Sequence, residues 1–190
     1  MKKSIPFLTP LFLAVLVSAI GSTGCRSSSQ SANVGGWDPG LVETARQTHD
    51  TFLERDPSLA DFEQNSYGYA VYPTIGKGAV GIGGAYGTGA IFEQGSAIGS
   101  SVMTQITIGF QFGGQVYSQL MFFEDEAALT KFTSGGFKLA AQASAVAVTA
   151  GASANASYSS GVAIFTMTSG GLMYEASVGG QSFTFKDIPE

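Results

Sequence analysis

Gln105-Ile106-Thr107-Ile108-Gly109-Phe110-Gln111-Phe112 places an apolar side chain at every second position. A period of two puts those side chains on one face of an extended chain, so the stretch reads as a half-buried β-strand. The same chemistry recurs on either side. Val146 and Val148 alternate with alanine and threonine; Leu172, Tyr174, Ala176 and Val178 share one face, and so do Phe183 and Phe185. Gly113-Gly114, Gly135-Gly136, Gly170-Gly171 and Gly179-Gly180 act as turn signals between the runs, and connections this short make neighbouring strands antiparallel. Charge is nearly absent here: only Lys77 and Glu93 lie between residues 64 and 123, and none between 139 and 174. Gly76, Gly78, Gly81, Gly83, Gly84, Gly87 and Gly89 crowd into 14 residues. Glycine weakens a plain strand, so this density predicts bends, bulges or close backbone approach, as in a sheet curling on itself.

Upstream, the pattern turns helical from Trp37 to Ser66. Asp38-Pro39 is a capping acid before a first-turn proline, and Leu41, Ala45, Thr48 and Phe52 then share a face with Val42, His49 and Leu53 beside it. Asp56-Pro57 repeats the signature before a second short helix carrying Leu59 and Phe62. This region holds seven acids and two arginines, which reads as a solvated helix face. A third helix is expected after Glu124-Asp125-Glu126, with Leu129 and Phe132 facing the sheet and Lys131 near its end. The expected fold class is α+β: N-terminal helices packed on a curled, mainly antiparallel, glycine-rich β-sheet that can close into a barrel.

The N-terminus reads as an address. Met1-Lys2-Lys3 precedes an apolar run, Leu11 to Ile20, of 10 residues, against the ~20 that span a bilayer as a helix. That is the layout of a secretory signal. Gly21-Ser22-Thr23-Gly24-Cys25 resembles a bacterial lipobox, with Ser22 where leucine is usual, and Arg26 in place of aspartate resembles outer-membrane sorting. The expected organisation is a lipoprotein signal peptide at 1–24, a lipidated Cys25 opening a flexible Ser/Gly/Asn-rich tether at 25–36, and one domain at 37–190. Acyl chains on Cys25 would hold the protein on a membrane.

Composition excludes several functions. With 44% hydrophobic and 12% charged residues over 190, the chain can bury a core and is not a charged disordered polymer. A formal charge of -5 argues against sequence-independent nucleic-acid binding. One histidine precludes a multi-histidine metal site, and no cofactor is expected. Gly76-Lys77-Gly78-Ala79-Val80-Gly81 matches a dinucleotide fingerprint by letters only, since the glycine-rich continuation cannot start the helix that fingerprint needs. His49 is expected as a partly exposed helical residue, and no nucleophile elbow accompanies it. Lys77, Lys131 and Lys138 are nearly the only cations of the β-rich part, and together they could meet a phosphate headgroup.

Ordered blocks point to a family. Tyr69-Ala70-Val71-Tyr72-Pro73-Thr74-Ile75-Gly76-Lys77-Gly78, Gly83-Gly84-Ala85-Tyr86-Gly87-Thr88-Gly89, the run from Gly109 to Gln115, Leu120-Met121-Phe122-Phe123 and the segment ending Gly136-Phe137-Lys138-Leu139 resemble the SYLF domain, over roughly Trp37 to Lys186. The resemblance implies a non-catalytic module that binds membrane phospholipid, with Lys77 and Lys138 as headgroup candidates, in a bacterial envelope lipoprotein anchored in the outer membrane. Some relatives bind actin, which is not expected in a periplasm, and the acidic helices here depart from the basic amphipathic helix of the lipid-binding eukaryotic members. The rival readings are an assembly module docking another envelope protein, a hydrolase using His49 and an unplaced serine, and an integral outer-membrane barrel.

Overall fold

A computed structural model describes residues 38–168 and 176–189, apart from the side chains of 79–82, 107–113 and 176–177. The signal segment, Cys25, the tether, Trp37, Leu172, Tyr174 and Glu175 lie outside the described residues, as do the side chains of Ile108, Phe110 and Phe112.

The helices begin where the capping residues stand. Asp38 accepts a hydrogen bond from the Gly40 amide at 2.9 Å and opens α1 (Pro39–Arg55). Asp56 caps a 3₁₀ turn, Pro57–Leu59, that runs into α2 (Ala60–Asn65). Asp125 accepts from the Ala128 amide at 2.8 Å and opens α3 (Glu126–Thr133). Each side chain satisfies an amide that the first helical turn leaves without a partner. On α1 the buried stripe is Ala45, His49 and Phe52, spaced three and four apart. His49 departs from its expected partial exposure: it is only 5% exposed, because the Tyr69 ring stacks on it at 4.5 Å.

β1 (Gly68–Glu93) and β2 (Ser96–Phe123) form one long antiparallel hairpin. Its turn is Gln94-Gly95, both at positive φ (48° and 79°), the twist that a two-residue hairpin turn requires. Gly113-Gly114 is not the turn that the glycine pair suggested. It lies inside β2 opposite Ala79 and Gly78, where the paired ribbon bends instead of reversing. Drawn straight, β1 would run roughly 85 Å. Instead its two halves lie side by side. The Gln94 amide donates to the Tyr67 carbonyl at 3.2 Å, and the Tyr67 hydroxyl donates to Glu93 at 2.8 Å. A Cβ on Gly89 would sit 2.6 Å from the Val71 carbonyl and 2.7 Å from the Tyr72 ring, so only glycine admits this approach. The hairpin is thus folded across its own length, with a register shift between Val80 and Ile82 near the fold.

The other strands complete the curl: β3 (Phe137–Lys138), β4 (Ser144–Ala147), β5 (Val162–Thr168), β6 (Ala176–Ser177) and β7 (Ser182–Asp187). β5 pairs with β2 from Tyr117 to Phe123, and β7 pairs with it from Gly99 to Thr104. The path runs β3-β7-β2-β5-β4-β6, with β1 on β2, and among the described residues every pairing is antiparallel except β4 with β5. β3 and β4 are near neighbours in sequence, as are β6 and β7, so the two ends of the path return to each other. This is the expected α+β class with a curled, mainly antiparallel sheet.

Alternation sorts the sheet into two apolar layers. Inward go Tyr72, Met103, Tyr117, Met121 and Phe123, plugged by Leu129 and Phe132 of α3. Phe132 meets Phe123, Phe137 and Phe183 at ring distances of 4.9, 5.3 and 5.3 Å. Outward go Tyr69, Val71, Phe92, Leu120, Phe122 and Phe165, covered by Phe52 of α1 and by Leu59. The opening stretch runs against its own pattern. Gln105 is 2% exposed and donates to the Gly179 carbonyl at 2.9 Å, whereas Ile106 is 78% exposed. At Gln105 the inward position is polar, and Ile106 lies beyond the part of the sheet that α1 covers.

Candidate functional site

The curl has a gap in its wall. β4 pairs with β5 only at Val146–Phe165 and Ala147–Thr166, while β3 turns away to pair with β7. Between them, residues 139–143 diverge from Val162, Ala163 and Ile164 of β5. A cleft of about 900 Å³ opens at this divergence. Its apolar lining includes Phe137, Leu139, Val162 and Ile164, which also belong to the inward core. Its polar lining includes Ser144, Ser157, Ser159, Ser160, Gln142 and Asn155.

Two cations stand at the cleft, Lys131 of α3 and Lys138 of β3, both exposed, and no carboxylate is among the described lining residues. Each is placed by an apolar neighbour. Phe132 and Phe137 point inward, and the alternation of helix and strand turns the adjacent lysines outward. Lys131 also borders a shallower groove along α3 that Asp125 and Glu126 share. The structure therefore brings Lys131 and Lys138 to one cleft. Lys77 stands elsewhere, on β1 opposite Gln115, and is not among the lining residues.

One wall of the cleft is held by a residue that sequence reasoning took only for a helix cap. Asp56 has no exposed surface and accepts four hydrogen bonds: from the Ser58 amide (3.1 Å) and hydroxyl (2.6 Å), the Gly151 amide (3.0 Å) and the Ser153 amide (2.8 Å). Burial alone would raise its pKa, but these donors outweigh burial and hold it down at about 2. The carboxylate thus ties the helical layer to the 3₁₀ turn Ala152–Asn155, whose end, Asn155 and Ala156, lines the cleft. The only signal for this in the sequence was the Asp-Pro pair; the partners lie 95 and 97 residues away.

The core holds a polar cluster that the sequence did not announce. Gln119 and Gln181 exchange side-chain hydrogen bonds at 3.0 and 3.1 Å, and Gln181 also donates to the Tyr117 hydroxyl at 3.3 Å. Burial pushes the Tyr117 phenol up to about 12, with the bond from Gln181 offsetting part of the rise. Tyr72 donates to Ser101 at 2.9 Å, and burial raises its pKa further still. These phenols stay neutral at physiological pH and serve as hydrogen-bonding groups.

His49 packs in the helical layer. Its Nε2 lies 2.6 Å from a Glu63 carboxylate oxygen in a geometry that closes no aligned hydrogen bond, and its Nδ1 lies 3.8 Å from Asp50. With Tyr69 stacked on one side and Phe122 edge-on, no serine figures among these partners. Among the described residues no group of three or more potential metal ligands occurs, and no helix is long and apolar enough to cross a membrane.

Comparison with known families places this sheet. The model described as "Ysc84: Las17-binding protein actin regulator" matches residues 104–187. Those residues are similar to a Ysc84 (SYLF) domain. The Ysc84 match begins within β2 and ends at β7, so it takes in α3 and the whole cleft; β1, paired along β2, and the helical layer precede it. The chain is also similar to Beta cell expansion factor A of Aeromonas veronii, at 32% identity over 79 residues, which is 41% of this chain and 30% of that protein. The chain thus spans under a third of the length of that relative. The description of that family is that of a binding protein.

Proposed function

We propose that this domain binds an anionic amphiphile of the phospholipid class, with the headgroup at Lys131 and Lys138 and the acyl part directed into the cleft between β5 and residues 137–143. The observation that carries this reading is the cleft itself: two cations and several hydroxyl donors, no carboxylate among its described lining residues, and a floor continuous with the apolar core. A phosphodiester needs cationic and hydrogen-bonding partners, and an acyl chain needs apolar depth. Proposed with it are the lipidation of Cys25, residence in the bacterial cell envelope on the outer membrane, and a non-catalytic role. The family's description as a Las17-binding protein favours a second reading, a protein-docking module.

The test is titration of the full chain with dihexanoyl phosphatidylglycerol below its micelle concentration, followed by amide NMR shifts. Shifts at 137–146 and 157–165 are expected. The double variant Lys131→Glu, Lys138→Glu should bind about 25-fold more weakly, at ~1 kcal/mol per cation at a lipid headgroup. Binding that is indifferent to both lysines, or no binding, refutes the reading. Envelope residence is tested separately by mass spectrometry of the mature N-terminus, where an unacylated Cys25 would count against the anchor.

A further inference from the structure

The outer face of the folded hairpin is bare where α1 ends. On this face Ile106 is 78% exposed, Val116 52% and Tyr86 47%. Register puts them at one level: Val116 opposite Gly76, Ile106 opposite Gly84, Tyr86 opposite Thr104. Each is followed or preceded by a buried neighbour (Gln105, Tyr117, Ala85), so all three project to the same side.

The glycines between them have no internal reason to be there. A Cβ on Gly76 or Gly78 would meet nothing within 4 Å, and one on Gly84 only a carbonyl at 3.5 Å. Glycine at Gly87 and Gly89 is required by the chain's own crowding; at these outward positions it weakens the strand and fills no steric need. What it does is lower the floor around the three apolar side chains. No charged or amide side chain stands among the exposed described residues of this face, and no charge occurs from Gly78 to Phe92 or from Gln94 to Phe123.

We propose that this face, with Ile106, Val116 and Tyr86 as its contacts, seats in the interfacial layer of a lipid bilayer. A folded protein partner would draw direction from polar and charged groups around an apolar centre. This face supplies no such directing groups among its described residues. A bilayer asks only for protruding apolar side chains without charge, and tyrosine suits its interface because the ring is apolar and the hydroxyl is wet. The depth is shallow. Among the described residues, β2 from Gln105 to Val116 pairs with β1 on one side and with no strand on the other, since the pairing with β7 ends at Thr104 and that with β5 at Tyr117. Edge backbone groups of that kind tolerate the hydrated headgroup layer and not the hydrocarbon core. The proposal rests on the reading that the protein works on lipid, but it concerns a different surface from the cleft.

The experiment uses the full chain, with Cys25→Ser, carrying a polarity-sensitive dye on Ile106→Cys, on Val116→Cys or, as a control, on the exposed Gln47→Cys of α1. Each is mixed with vesicles of neutral phosphatidylcholine brominated along its acyl chains. The dyes at 106 and 116 should blue-shift and be quenched, while the dye at 47 stays in water whatever the N-terminal segment does. Unlabelled Ile106→Ser, Val116→Ser should cut the quenching of a dye at Tyr86→Cys by about tenfold. Dyes at 106 and 116 that report water on vesicles overturn the proposal. So does a blue shift that rises with protein concentration without lipid, which would assign the face to a second copy. The short-chain lipid titration of the cleft involves no bilayer, so either reading can fail while the other stands.

Discussion

Replacing Asp56 with asparagine keeps the side chain's shape and removes its charge. The native carboxylate, held at about 2 against ~3.9 in an unfolded chain, contributes about 2 kcal/mol of folding stability at neutral pH through linkage. The sign follows from the depression: the stabilisation is present above the unfolded pKa and is lost as pH falls through the folded one. Asparagine also turns an amide NH₂ towards donors that need an acceptor, since both Asp56 oxygens are in use, Oδ1 by Ser58 and Gly151 and Oδ2 by Ser153. The expected loss for Asp56→Asn at pH 7 is therefore about 2–3 kcal/mol, or about 4–10 °C in Tm for a chain of this size. Thermal and urea unfolding of both proteins from pH 7 to pH 2.5 measures it. The gap should narrow steadily below about pH 4, because the unfolded chain then takes up a proton at Asp56 that the folded protein resists until about pH 2, a cost the variant does not carry. Hydrogen exchange should also quicken at residues 151–156, beside the cleft. An unchanged Tm at pH 7, or a gap that persists undiminished at pH 2.5, refutes the account of Asp56 as a charged clamp.

Two further predictions probe the fold. Gly89→Val drives a side chain into the Val71 carbonyl and the Tyr72 ring and should cost more than about 3 kcal/mol, whereas Gly76→Val, with open space around it, should stay within about 0.5 kcal/mol; urea midpoints that are equal for the two would refute the folded hairpin. Gln181→Leu leaves Gln119 and Tyr117 short of buried partners and should cost about 1–3 kcal/mol. Adding Gln119→Leu should recover part of that loss, and a purely additive double-mutant cycle would show that the two amides do not act as a pair.

Much of the architecture was legible in the residues. Capping acids before prolines located α1 and the 3₁₀ turn, the acid cluster at 124–126 located α3, and alternation marked the strands. These features are local, fixed by a side chain and an amide two or three residues away or by the period of a single strand. Which face of a strand is buried is not local. Ile106 points to solvent and Gln105 goes inside, because the fold of the hairpin carries these residues past the end of α1. The cleft was half legible: the lysines were visible as scarce cations, but only the divergence of β3 from β5 brought Lys131 and Lys138 together and left Lys77 on another strand.

By itself the sequence determined the element types, the helix starts, the near-absence of charge in the sheet and the acidity of the helical layer, because each depends on neighbours along the chain. The tertiary structure alone decided that β1 doubles back on itself, that Asp56 grips amides some hundred residues ahead, and that the wall opens beside β5. Those depend on contacts between residues far apart in the chain, where the geometry of packing, and not the local propensity of either partner, selects who meets whom.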